Sequence, residues 1–521
     1  MPTHRIVVIG AGIGGLAAAL DLASQGAAVT VVERSDHAGG KLREVVAGGV
    51  PIDAGPTVFT MRWVFDELLQ AAGTSLDEHV ALRPLDVLAR HAWNAEATLD
   101  LYADAARSAE AIGDFAGPAA ARGFLDFTAR ARDVYETLES TYLRAPKGGP
   151  LSLARRGGLR GLPALWRIAP FATLWRALGT HFHDPRLRQL FGRYATYCGS
   201  SPHLSPATLM LIAHVEQQGV WSVAGGMYRI AEALVRIAEA RGVVFRMGTD
   251  VAEVLTGNGR ASGVRLRSGE CLEADGVVVN ADAAAVAQGL LGAEIAGAVP
   301  RAPVATRSLS ALTWAITAPV SGFPLSRHNV FFSDDYAAEF DAIFRRGELP
   351  AAPTVYVCAQ DRDGNDGGTR PARERMLCIV NAPANGDTRR FSQSEIEQCE
   401  ERTFSLLARC GLVLQRDSRN TVITTPAEFA AMFPATGGAL YGRASHGWRA
   451  SFQRPGARTR IPGLYLAGGS THPGPGMPMA ALSGRMAAAS ALSDLASTRR
   501  SSRAAMPGGT SMRFPKTDST G

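Results

Sequence analysis

The chain has 521 residues, is 46% hydrophobic and carries a net charge of +6. That length buries a large core and calls for more than one domain, and the charge is too modest to mark a nucleic-acid binder. Six cysteines lie scattered without paired spacing, which argues for a reducing compartment and against a metal centre or disulfide framework. No stretch approaches the roughly 20 apolar residues needed to cross a bilayer.

The first element is legible almost at once. Arg5-Ile6-Val7-Val8-Ile9 reads as a buried parallel strand, breaking into Gly10-Ala11-Gly12-Ile13-Gly14-Gly15 and then a helix from Leu16 to Ala23. A second strand, Val29 to Val32, ends on Glu33. Gly10 suits the tight turn, Gly12 the approach of backbone amides to a pyrophosphate, and Gly15 close helix–strand packing. The helix N-terminus offers unpaired N–H groups to phosphate. Glu33 stands roughly 20 residues on, where it accepts hydrogen bonds from ribose hydroxyls and disfavours a 2′-phosphate. The signature is that of a Rossmann-type dinucleotide-binding domain. Next come Arg34, the Gly39-Gly40 turn, Lys41 and Arg43, and then Asp53-Ala54-Gly55-Pro56-Thr57. This run resembles the FAD signature of the flavin amine oxidase superfamily. The resemblance places Arg34, Gly40, Lys41, Arg43, Gly55, Pro56 and Thr57 at the cofactor, with Lys41 and Arg43 along its pyrophosphate and ribityl region.

From Ser140 to His183 the chain has no acidic residue, while Arg144, Lys147, Arg155, Arg156, Arg160, Arg167 and Arg176 supply positive charge. After Pro170, the residues Phe171, Leu174, Trp175, Leu178 and Phe182 recur at helical spacing, and Leu162, Leu165 and Trp166 form a similar cluster. The commoner role of such a face is core packing, but an aromatic face among arginines with no acid along the span favours contact with an anionic membrane surface.

Trp221 to Met227 leads into a helix whose apolar face is Ile230, Leu234 and Ile237. Val243 to Gly269 reads as strands in a hairpin meander, and by resemblance the Val251 backbone touches the adenine. Ala274 to Val279 is a further buried strand. Near the end, Gly463 to Leu466 reads as a strand. It is followed by the loop Gly468-Gly469-Ser470-Thr471-His472-Pro473-Gly474 and a small-residue helix from Met479 to Leu492. By resemblance Gly468, Gly469 and Met477 face the flavin. His472 reads more readily as a turn histidine than as a chemical one.

The Thr471-His472-Pro473-Gly474 sequence and the stretches Asp53–Phe65 and Phe191–Pro202 resemble the carotenoid desaturase family. Within it they are most similar to the branch that acts on hydroxyneurosporene. The resemblance spans residue 5 to about 495 and implies an α/β fold: a glutathione-reductase- or amine-oxidase-like FAD domain, a discontinuous substrate domain and a helical membrane-associating region. The expected division is 1–81, 221–299 and 460–496 for FAD, 82–220 as the helical region, 300–459 for substrate and a disordered tail from 497. It further implies FAD-dependent insertion of a C-3,4 double bond into an acyclic 1-hydroxy or 1-methoxy carotenoid. Quinone or oxygen would accept the electrons. The enzyme would be cytoplasmic and lie peripherally on the inner or intracytoplasmic membrane. A conjugated polyene delocalises developing positive charge, so no strong protein base is required. Arg62, Tyr142, Tyr197 and His214 are polar residues near substrate segments for which structural hydrogen bonds are the simpler role. Phytoene desaturation and a non-enzymatic prenyl-lipid carrier on the same fold are the alternatives.

Overall fold

The computed structural model describes residues 4–149, 152, 155–156, 171–362 and 371–504, apart from the side chains of 498–504. One half is built on a parallel five-stranded sheet in the order Leu464–Leu466, Gly276–Val279, Arg5–Ile9, Ala28–Val32, Val244–Arg246. Strand alternation explains its two covered faces. Ile6 and Val8 point into a core with the helices Ile13–Ser24, Trp63–Ala71, Arg229–Ala240 and Met477–Ala504. Val7 and Ile9 point the other way, onto the antiparallel meander Val251–Gly257, Arg260–Leu266 and Cys271–Glu273. Ile230, Leu234 and Ile237 are all buried, as their spacing requires. The helices Ile13–Ser24 and Met477–Ala504 touch through small residues: a Cβ on Gly484 would stand 2.1 Å from Gly14 O.

The other half is a seven-stranded sheet in the order Thr421–Thr424, Ser310–Ala318, Glu374–Ala382, Val355–Ala359, His328–Phe331, Val87–Ala92, Thr98–Tyr102. The block expected to be helical from residue 82 thus opens with Leu82–Pro84, paired with Trp221–Val223, and then two strands of this sheet, of which Val87–Ala92 runs parallel to His328–Phe331. The helix Gln393–Arg409 covers one face, packing Cys399, Leu406 and Leu407 against Trp314 and Ile316. The opposite face is left toward the interior of the molecule.

Two further sequence expectations change. The helix expected from Pro170 is Leu174–His181, capped by Thr173, and its face turns inward. Leu174, Leu178 and Phe182 are buried against Phe127 and Phe191, with the Phe182 and Phe191 rings 4.6 Å apart. Trp175 is half-buried against His203, and Phe171 remains 64% exposed. The stripe is therefore core, because the partner rings arrive from Phe127 and Phe191 elsewhere in the chain. Arg160, Arg167, Leu162, Leu165, Trp166 and Pro170 lie outside the described residues. The C-terminal helix starts at Met477, earlier than expected, and runs to Ala504, into the tail expected to be disordered.

Candidate active site

The cofactor groove is built from facing glycine turns. Gly10 adopts φ +96°, a region open to glycine, and its N–H donates to Val32 O at 2.8 Å. Gly12 is the N-cap of Ile13–Ser24, which has no side-chain cap and no acid in its first turn. Its first N–H groups are thus left for an anionic ligand. Opposite, Gly39 forms a bridge with Gly12, and a Cβ on Gly40 would stand 3.2 Å from Gly12 Cα. Only backbones without side chains let the two turns meet this closely beside the helix N-terminus. Asn280, which the sequence reading did not single out, sits at the centre of the loop. A Cβ on Gly12 would come 2.7 Å from its Nδ2, and one on Gly14 2.6 Å from its Oδ1.

Glu33 is buried, its carboxylate accepting from Ala11 N at 2.7 Å and Ser35 N at 2.9 Å. Thr249 N donates to Glu33 O at 2.8 Å, which brings the start of the Val251 strand beside this acid. Arg34 is exposed. Asp53 is a strut: it accepts from Met227 N at 2.7 Å and Tyr228 N at 3.1 Å, fixing the turn ahead of Arg229–Ala240.

Lys41 and Arg43 border the same cavity as Gly55, Pro56 and Thr57 and are held from the second half of the molecule. Lys41 Nζ donates to Leu440 O at 2.7 Å and faces the Phe433 ring at 5.2 Å. Burial lowers its affinity for a proton below the usual lysine range. Arg43 donates to Thr424 Oγ1 at 3.3 Å and lies over Phe429. Both side chains extend toward the substrate half, because the strand and helix from Thr421 to Met432 supply their acceptors and rings.

Gly55, Pro56, Thr57 and Met477 open onto a cavity of about 690 Å³ between the two halves. Its walls are mainly apolar, with Leu209, Ile212, Val215, Val330, Leu377, Ile379 and Phe452 among them. Met477 starts the long helix, whose first turn again carries no acid, so a second positive dipole end borders the cavity. Phe171 and Trp448, 5.4 Å apart, line the cavity where Phe171 is also exposed, marking a mouth. Tyr142 Oη donates to Ser451 O at 2.9 Å, and burial pushes its phenol up to about 12. His472 bonds Ala145 O at 2.8 Å and packs against Tyr142, a structural role. Arg62 pairs with Asp66 and Asp77, and His214 stacks near Tyr135, so neither reaches the cavity wall.

One part of the wall is polar. Tyr194 and Tyr197 donate to the two oxygens of Glu216 at 2.7 and 2.6 Å, and Arg193 Nη1 donates to Tyr197 Oη at 2.7 Å. Burial opposes the Arg193 charge, but Tyr197 and Glu216 beside it more than offset this and hold it above the usual arginine range. Arg193 Nε and Nη2 and Tyr336 Oη are buried with no partner among the described residues. A buried polar group left unpaired costs roughly 1–3 kcal/mol, more when charged. Nearby, Tyr356 Oη bonds Thr57 Oγ1 at 2.7 Å and His328 Nδ1 at 2.7 Å. Of this constellation the sequence reading had singled out Thr57 and Tyr197. The other members come from separate strands and helices, and no local motif announces them.

Glycine groove, buried acid and adjoining apolar cavity together define an FAD flavoprotein. Residues 13–492 match the family of flavin containing amine oxidoreductases, to which the chain belongs. The structure of putrescine oxidase bound to putrescine has the same fold, with a TM-score of 0.57 at 15% identity, covering 95% of this chain and 99% of that one. In sequence, the chain is 55% identical over 516 residues to the hydroxyneurosporene desaturase of Rubrivivax gelatinosus, covering 99% of this chain and 98% of the relative. It is 32% identical to the 1-hydroxycarotenoid 3,4-desaturase of a Flavobacterium species, covering 93% and 98%. Within the larger family it stands among the carotenoid desaturases.

Proposed function

We propose that this chain is an FAD-dependent desaturase that inserts the C-3,4 double bond into acyclic 1-hydroxy or 1-methoxy carotenoids. The observation that carries this reading is the 55% identity to a hydroxyneurosporene desaturase across 99% of the chain. The long apolar cavity beside the glycine groove supports it, since a polyene offers almost nothing but apolar surface.

When bound, FAD supplies the two-electron oxidant for a C–H bond. Gly12 and Gly40 would line its pyrophosphate, Gly10, Gly14 and Gly15 would keep that loop closely packed, and Glu33 would hold its ribose. Val251 lies at the adenine end, with Arg34 near the ribose. Gly55, Pro56, Thr57, Gly468, Gly469 and Met477 shape the flavin end, with Lys41 and Arg43 at the border with substrate. The chain's own work is positioning and water exclusion. Both Glu216 oxygens are already engaged by tyrosines, so the cavity wall presents this acid as a fixed support and not as a free base. The sheet face carrying Ala311, Thr313 and Ile379 forms an apolar floor for the polyene.

The substrate enters from a membrane surface. No described helix is long and apolar enough to cross a membrane. Contact is made instead at the cavity mouth, by exposed Phe171 and Leu204, Trp448 and the neighbouring Arg449. Quinone or oxygen takes the electrons, and the protein works at the cytoplasmic face of the membrane.

Reconstitution of the holoenzyme in liposomes tests the reading. With 1-hydroxyneurosporene or 1-hydroxylycopene the product is red-shifted and lighter by two hydrogens. Efficient conversion of phytoene, with hydroxylated carotenoids ignored, would make the chain a phytoene desaturase instead.

A further inference from the structure

The cavity wall holds a charged side chain that nothing in an all-apolar tunnel explains. Arg193 is 5% exposed and lines the cavity, and one of its nitrogens is held by Tyr197. The phenols of Tyr194 and Tyr197 in turn clamp Glu216, so the guanidinium is fixed in place and its charge is balanced without direct contact with the carboxylate. Nε and Nη2 remain without partners among the described residues, as does the hydroxyl of Tyr336, and both residues border the cavity. A donor set prepared in this way, buried and unfilled, fits an oxygen brought by the ligand.

Its position is informative too. The bond to be oxidised lies between C-3 and C-4, a few bonds from an oxygen on C-1. The group that reads that oxygen must therefore stand beside the flavin end of the cavity and not at its far end. Thr57, on the loop that borders the flavin, bonds Tyr356, and Tyr356 bonds His328. Arg193 acts electrostatically on His328, and Tyr197 on Tyr356. The polar wall and the Gly55–Pro56–Thr57 loop thus adjoin.

Building on the desaturase reading, we propose that Arg193 and Tyr336 form the oxygen-recognition pocket, donating hydrogen bonds to the C-1 hydroxyl or ether oxygen and so selecting oxygenated carotenoids. Tyr197 and Glu216 are positioning residues that hold Arg193. An arginine donor accepts both hydroxyl and methoxy oxygens, because each offers a lone pair and neither has to donate. A hydrocarbon lacking the oxygen leaves the guanidinium buried and unpaired, which is the strongest form of rejection open to such a tunnel.

The test is a competition between 1-hydroxylycopene and 1,2-dihydrolycopene, the hydrocarbon with the same C-3,4 single bond. The ratio of their kcat/KM values is measured for the wild type, Arg193→Met and Tyr336→Phe. Each variant is expected to lower the preference for the hydroxylated substrate by about ten- to hundredfold, mainly through KM for that substrate. Tyr336→Phe removes one unpaired buried oxygen and no contact, so it keeps the test decisive should Arg193→Met fail to fold. Preference retained in a folded, flavin-loaded Tyr336→Phe and Arg193→Met overturns the pocket while leaving the desaturase reading in place. A wild type with no preference for the oxygenated substrate overturns the reading itself, and the pocket with it.

Discussion

Gly14 and Gly468 meet backbone to backbone: a Cβ on Gly14 would stand 2.8 Å from Gly468 N and 2.9 Å from Gly468 Cα. The first glycine turn of the chain and the loop that closes its last strand are thus in contact, with the Asn280 amide beside both. Gly14→Ala should therefore disturb both ends of the cofactor groove, and Gly12→Val should fill the pyrophosphate approach while clashing with Asn280. Purified variants are expected to lose the yellow flavin absorption while keeping their far-ultraviolet circular dichroism. Stoichiometric FAD in Gly12→Val would show that this loop does not hold the cofactor.

Glu33 has a smaller, graded effect. Its carboxylate is oriented by Ala11 N and Ser35 N, so it is already ordered for the proposed ribose contact. Glu33→Ala removes charge-assisted hydrogen bonds worth on the order of 1.5–3 kcal/mol. Fluorescence titration of apoprotein with FAD should show roughly ten- to hundredfold weaker binding. An unchanged affinity would move the ribose contact elsewhere.

Core packing and the proposed membrane contact fall on different residues of the helix Leu174–His181 and the loop before it. Leu178 is fully buried, so Leu178→Ala should cost about 2–5 kcal/mol of stability and leave vesicle binding intact. Replacing exposed Phe171 together with Trp448 by serine should do the reverse, reducing co-sedimentation with anionic liposomes at little cost in stability. Sedimentation and urea titration of both variants decide the matter. If the Phe171/Trp448 variant still pellets like the wild type, the mouth does not face the bilayer.

Acid should destabilise the protein through buried His328 and half-buried His446. Burial, helped by Arg327 and Arg193, pushes His328 down to about 3, and burial pushes His446 down to about 4, from an ordinary value of 6.5. Between those values the unfolded chain binds protons that the folded chain does not, so stability rises with pH through the window and is lost as pH falls through it. Each histidine contributes a slope of roughly 1.4 kcal/mol per pH unit. The urea midpoint should drop steadily from about pH 6.5 to about pH 4, and His446→Gln should flatten part of that drop. A midpoint independent of pH over this range would mean that both rings are reached by solvent.

The nucleotide-binding half was readable because its determinants are local: a strand, a glycine turn and a helix follow one another within Arg5–Ser24, and each needs its own residue type. The helix face from Leu174 to Phe182 was readable as a face but not as to what covers it. Core and bilayer both demand apolar residues at the same spacing, and the deciding partners, Phe127 and Phe191, are contributed by other helices. The polar wall was least legible. Arg193, Glu216, Tyr336 and Tyr356 come from separated elements, and only the tertiary fold turns them toward one cavity. Lys41 shows a similar limit: its acceptor, Leu440 O, lies far along the chain and has no local signal.

The strand Leu464–Leu466 is the last to be made, yet it pairs with Gly276–Val279 inside the nucleotide sheet, and the helix that follows it packs on Ile13–Ser24. During synthesis the amino-terminal turn therefore waits for the loop and helix that pack on it, which follow only when nearly the whole chain has been made. Flavin capture becomes an event of the finished polypeptide. A ribosome stalled anywhere before residue 464 releases a chain with an open sheet edge and an uncovered helix, a species for chaperones and proteases to handle.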